Sequence, residues 1–186
     1  MAISNPRRLA LASLLAILCA IVLLLQAISS ITFKRAPELS ISLMPMNGLA
    51  REQFAFAEFT SRVTDPEDTQ AAAEYASGEA RRALRSDPLA PKAYAILAMA
   101  EPAGSVRSEI LSLASLLNRR DLAIQSLWLN EKLAEGNFSA TTEALDRILR
   151  VHPQHREQFF PVLGEALEDE ETLPQFARFL DGGTPR

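Results

Sequence analysis

Apolar and polar positions divide this chain near residue 33. Residues 9–31 are 23 consecutive positions without a charge. Their polar members, Ser13, Gln26, Ser29 and Ser30, are small or lie near an end. A globular core helix carries a polar stripe with a 3.6-residue period, and this segment carries none. As a helix it would reach ~34 Å, enough to cross a hydrocarbon core of ~30 Å. A lone helix is also the simple way for one segment to satisfy its backbone in lipid.

Beyond this run the pattern changes. Residues 36–46 hold Pro37 and Pro45 and lead to Asn47-Gly48, which reads as an extended linker feeding a turn. From Leu49 the spacing is helical, with Phe54, Phe56 and Phe59 recurring up to about Arg62. Thr64 to Asp68 reads as a turn and a helix start. Further helices are predicted over about 69–86, 91–101, 105–118, 121–135, 139–151, 154–167 and 173–180. Pro88, Pro91, Pro102, Gly104, Gly136 and Pro153 punctuate them, and Ser105 is a candidate N-cap. Short connections force antiparallel neighbours, so the expectation is all-α, a chain of helical hairpins. Sparse β-branched residues after Val63 argue against a sandwich or barrel.

These hairpins repeat. Ala76, Ala80 and Ala83 are four and three apart, and Pro88 follows five later. Six residues beyond Pro88 stands Tyr94, then Leu97 and Ala98. Gly136-Asn137-Phe138 makes a turn before Ala144, Leu145, Ile148 and Leu149. Pro153 closes that helix, and Phe159 follows six later. This pattern resembles the tetratricopeptide repeat, a 34-residue helix–turn–helix unit. In such a unit, small residues let helices approach, an aromatic wedges the next hairpin, and the Pro ends the second helix. The resemblance covers roughly residues 45–167 and implies a short α-solenoid. Trp128 falls in an apolar slot three residues past the usual aromatic. Residues 60–69 look like an insertion, and Glu101-Pro102 departs from the pattern. A plain helical bundle is the alternative architecture. The expected organisation is a tail (1–8), a transmembrane helix (9–31), a linker (32–46), a TPR-like domain (47–181) and a flexible end (182–186).

Charge sharpens the division. Arg7, Arg8, Lys34 and Arg35 flank the apolar run, and no acid occurs before Glu38. Of 19 basic residues, 15 therefore remain beyond residue 35, against all 23 acids, about −8. An acidic domain is a poor polyanion binder, so no nucleic-acid partner is expected. The single cysteine, Cys19, lies within the apolar run, which leaves no intramolecular disulfide and no thiolate cluster. Leu18 before it is too large for a lipoprotein site. Leu25 and the length of the run weigh against cleavage after Ala27 and favour a signal-anchor. Flanking charges nearly balance, but a short basic tail and a long following domain favour a cytoplasmic N-terminus. The expected location is the bacterial inner membrane, with the domain in the periplasm.

Candidate chemistry is thin. His152 and His155 are three apart near Glu157, but a helix end with a cation near its dipole is the plainer reading. No phosphate loop or nucleophile elbow occurs, and 168–171 reads as a solvated acidic face. No catalytic role, metal or cofactor is expected. Arg81, Arg82, Arg85, Arg119 and Arg120 are candidates to line a peptide groove, although cations at helix ends are also favoured by the dipole. The expected function is a membrane-tethered scaffold binding a protein partner. The alternative is a subunit of a membrane complex whose span makes the key contacts, with Ala12, Ala16 and Ala20 on one face.

Overall fold

The apolar N-terminal run forms one helix, α1 (Pro6–Thr32), long and apolar enough to cross a membrane. It begins three residues before the expected span, and its large apolar side chains from Leu9 to Leu24 are exposed. The structure is a computed structural model and describes residues 6–155 and residue 157. Every helix among them is connected to the next by a short turn, and no strand occurs among them. The helices expected over 154–167 and 173–180, with Phe159 and the tails 1–5 and 182–186, lie outside the described residues, apart from the 3-10 turn Pro153–His155.

The expected extended linker is not extended. Residues Pro37–Leu43 form a short helix, α2, with Pro37 at its first turn. Proline's fixed φ suits a helix start as well as a linker, so two prolines in eleven residues did not decide between them. Ser40, which a solvated linker would expose, is fully buried against α1.

Then follow α3 (Gly48–Arg62), a 3-10 turn (Pro66–Asp68) and α4 (Thr69–Ser86). After these come α5 (Pro91–Ala100), α6 (Ser105–Leu117), α7 (Leu122–Ala134) and α8 (Phe138–Val151). Three of them start on a side-chain cap. Asn47, Asp121 and Asn137 each accept the amide of the residue three ahead, as orphan helix donors require. Ser105 is not a cap: it is the first residue of α6, and Gly104 precedes it. The α7–α8 turn needs glycine. Gly136 has φ +67°, and its amide and that of Asn137 close back on Leu133 and Lys132, the pattern of a left-handed helix stop.

Each helix packs on the next, and α3 with α5 and α5 with α7 are also in contact. Helix α4 lies between α3 and α5. Its buried face is made of alanines: Ala72, Ala73, Ala76, Ala80 and Ala83. Larger side chains fill the centre, among them Ile96, Met99, Leu111, Ile124 and Ile148. Of the expected packing residues, Ala98 is fully buried, Trp128 is buried, and Leu97 and Tyr94 pack half-buried against the core. The Tyr94 hydroxyl donates to the Pro88 carbonyl, 3.1 Å away, across the turn that Pro88 opens. One glycine admits a close approach: a Cβ on Gly48 would stand 2.5 Å from Asp87 Cβ and 2.9 Å from its amide nitrogen. The start of α3 therefore abuts the α4–α5 turn.

Candidate functional site

Two helices that never touch in sequence present matched stripes to each other. On α3 and its end, Phe56, Phe59, Thr60 and Val63 follow the i, i+3, i+4, i+7 spacing of one helix face. On α7, Ala123, Ser126, Leu127 and Asn130 do the same. With Thr69 these residues line a groove of about 330 Å³. Phe59 is buried beneath it, while Phe56, Val63 and Leu127 are half-buried. The Phe56 and Phe59 rings are tilted at 46° with centroids 6.1 Å apart, a favourable aromatic arrangement. The walls are apolar and the rim carries hydroxyl and amide groups. This is the small end of ligand-site sizes, suited to one or two apolar side chains.

One end of the groove is held by Lys92, near the start of α5. Its Nζ stands 4.5 Å above the Phe56 ring, 3.5 Å from Asp121 Oδ2 and 3.4 Å from Gln53 Oε1. Lys92 thus ties α3, α5 and α7 together. Beside it Glu52, only 3% exposed, accepts the Lys92 amide at 2.7 Å. Ala90, at the N-cap of α5, offers no side-chain acceptor, so a carboxylate from α3 takes that role.

Burial raises the Glu52 pKa above the ordinary glutamate value; the Lys92 amide and ammonium oppose it, and Asp87 and Asp121 add to it. The folded state therefore holds this proton more tightly than the unfolded chain. Its ionisation lowers stability as pH rises from the unfolded glutamate pKa through the raised folded value. Glu52→Gln keeps an acceptor for the amide and abolishes that penalty. Its stability relative to wild type is expected to grow with pH across this window and then level off. Urea unfolding of the full chain in detergent across a pH series reads this, and a pH-independent difference would refute it.

The five arginines expected to line a groove do not line this one. Arg81, Arg82 and Arg85 lie on the exposed face of α4, and Arg82 pairs with Glu79. Arg82 also borders a separate hollow of about 280 Å³ with Phe54, Tyr75 and Glu79. Arg119 and Arg120 are exposed in the α6–α7 turn. There the Arg120 carbonyl meets His152 Nε2 at 2.8 Å, so this histidine ties the end of α8 to that turn. Among the described residues no group of three or more His, Cys, Asp or Glu is placed to hold a metal. No local signal in the sequence marks Val63, Lys92 or Leu127 as groove residues. The two matched stripes were present in it, but nothing local brings residues 56–63 beside residues 123–130.

No family model, curated protein or solved structure matches this chain.

Proposed function

We propose that this chain is a membrane-anchored, TPR-like scaffold of the bacterial envelope that holds a short apolar segment of a protein partner. The observation that carries the reading is the groove between α3 and α7, whose half-exposed Phe56, Val63 and Leu127 have no covering element among the described residues. The stacking of α3, α5 and α7 on one another supports the solenoid reading, because first helices of successive hairpins contact in that way. The long apolar α1 supports the anchor; the placement of the N-terminus in the cytoplasm and the domain in the periplasm rests only on the short basic tail and the long domain that follows the span. A tether confines the partner search to the membrane and raises effective concentration.

The test is photocrosslinking in intact cells from a benzophenone amino acid placed at Phe56 or Leu127. A discrete protein adduct is expected from both, lost in Leu127→Glu when the probe is at Phe56, and absent from a probe at exposed Tyr75. Equal adducts from Tyr75 would sink the groove reading.

A second reading makes α1 the contact surface of a membrane complex. The exposed Leu9–Leu24 surface and the alanines at 12, 16 and 20 favour it. Exchanging residues 9–25 for an unrelated apolar sequence separates the two: the scaffold keeps its adducts, whereas the subunit loses them.

A further inference from the structure

The end of α1 is fastened to the domain. Ser29 and Ser40 are 1% and 0% exposed, and their hydroxyl oxygens are 2.6 Å apart. Ser40 Oγ also donates to the Ser29 carbonyl at 3.0 Å. Asn47 Nδ2 donates to Ser29 Oγ at 2.7 Å and reaches Ser40 Oγ at 3.3 Å, while its Oδ1 caps α3. Three residues from three segments thus form one polar knot.

The knot fixes direction as well as proximity. It pairs the fourth residue from the end of α1 with the fourth residue of α2, so the chain makes a hairpin at 33–36 and α2 returns along α1. Met44 and Met46 accordingly share a hollow with Gln26, Ser29 and Ser30 of α1 and with Ser86 and Asp87 at the end of α4, and of these Gln26 lies more than one helical turn back from the end of α1. If residues 9–31 occupy the membrane, the α2–α3 turn lies level with their last turns. Large apolar side chains are exposed there: Met46 is 82% exposed, and Leu39, Leu49 and Ile31 are exposed around it, while Ser30 and Ser86 of the same hollow are exposed polar neighbours. Lys34 and Arg35 are exposed at the crest of the hairpin, where lipid phosphates would lie. Glu38 is the one acid of α2.

Resting on the anchor reading, we infer that α2 and the turn after it form a lipid-contacting base, seated at the boundary of headgroups and acyl chains. Its occupant is the bilayer that α1 crosses, because the apolar patch is continuous with the span and bordered by cations. The domain then stands in a fixed attitude on the membrane, and the groove is held at a set height.

Brominated-lipid quenching tests this in the full chain. The only tryptophan is removed by Trp128→Phe, and single tryptophans are introduced by Met46→Trp, Leu39→Trp, Leu15→Trp or Leu113→Trp. All four positions are exposed, so none of the four has to fit a core. The vesicles are phosphatidylethanolamine and phosphatidylglycerol with acyl chains brominated near the headgroup or near the tail. Met46→Trp and Leu39→Trp are expected to lose most of their emission to the shallow bromines. Leu15→Trp should lose it to the deep ones, and Leu113→Trp on α6 should keep it. Unquenched emission at 46 and 39 with Leu15→Trp quenched overturns this inference and leaves the anchor standing. No quenching at Leu15→Trp removes the anchor reading, and this inference with it. Quenching of Leu113→Trp equal to that at 46 also overturns it, because the contact would then not be local to the base.

Discussion

Ala80→Leu is expected to destabilise the domain by about 1–3 kcal/mol or more, the cost of overpacking a filled core. Ala80 is fully exposed to neighbours and not to solvent: its relative exposure is 0%, as is that of Ala73 and Ala83. The α4 helix lies between α3 and α5, so the added isopropyl group can enter neither side without moving a helix. Ala71→Leu is the matched control on the exposed face of the same helix and should stay within ~0.5 kcal/mol. Trp128, the only tryptophan and only 6% exposed, reports the transition by its own fluorescence during urea unfolding in detergent. Equal midpoints for the two variants would mean that α4 is not clamped between its neighbours.

Arg107→Ala is expected to cost roughly 3 kcal/mol, because it strands a buried carboxylate. Arg107 Nε stands 2.8 Å from Glu131 Oε2, joining α6 to α7. The N–H does not point along that line, so the contact is an ion pair rather than an aligned hydrogen bond. The Glu131 side chain is 6% exposed and that of Arg107 is 22% exposed. Removing the arginine leaves the worse-solvated partner alone, but the pair is open to solvent on the Arg107 side, so the effect belongs at the lower end of the range for buried pairs. Adding Glu131→Gln to Arg107→Ala should restore most of the loss, since the stranded group is then neutral. A double variant no more stable than Arg107→Ala alone would show that the loss comes from the arginine's packing, not from the charge.

Helix identity was legible wherever apolar spacing and breakers agreed. The α4, α5, α7 and α8 boundaries follow Pro88, Pro91, Gly136 and Pro153 to within a residue or two. The alanines at 76, 80 and 83 lie on the buried face of α4, because positions four and three apart share one side of a helix. Ambiguous local signals left two features undecided. Pro37 is compatible with both a linker and a helix start, and α2 forms because Ser40 finds Ser29 eleven residues back. Ser105 has the composition of a cap, yet the chain turns one residue earlier at Gly104.

By itself, then, the chain determined its helices from α3 to α8, its long apolar first segment and the small-residue face of α4. These rest on periodicity and composition, which act over a few residues. Tertiary structure decided everything that depends on residues far apart becoming neighbours. It set the arginines outward and drew Lys92 between α3 and α7, and it used Glu52 to cap a helix forty residues away. It also folded the connection after α1 back into a hydrogen-bonded knot. Such contacts follow from how helices stack, and no local pattern encodes which stripe will face which.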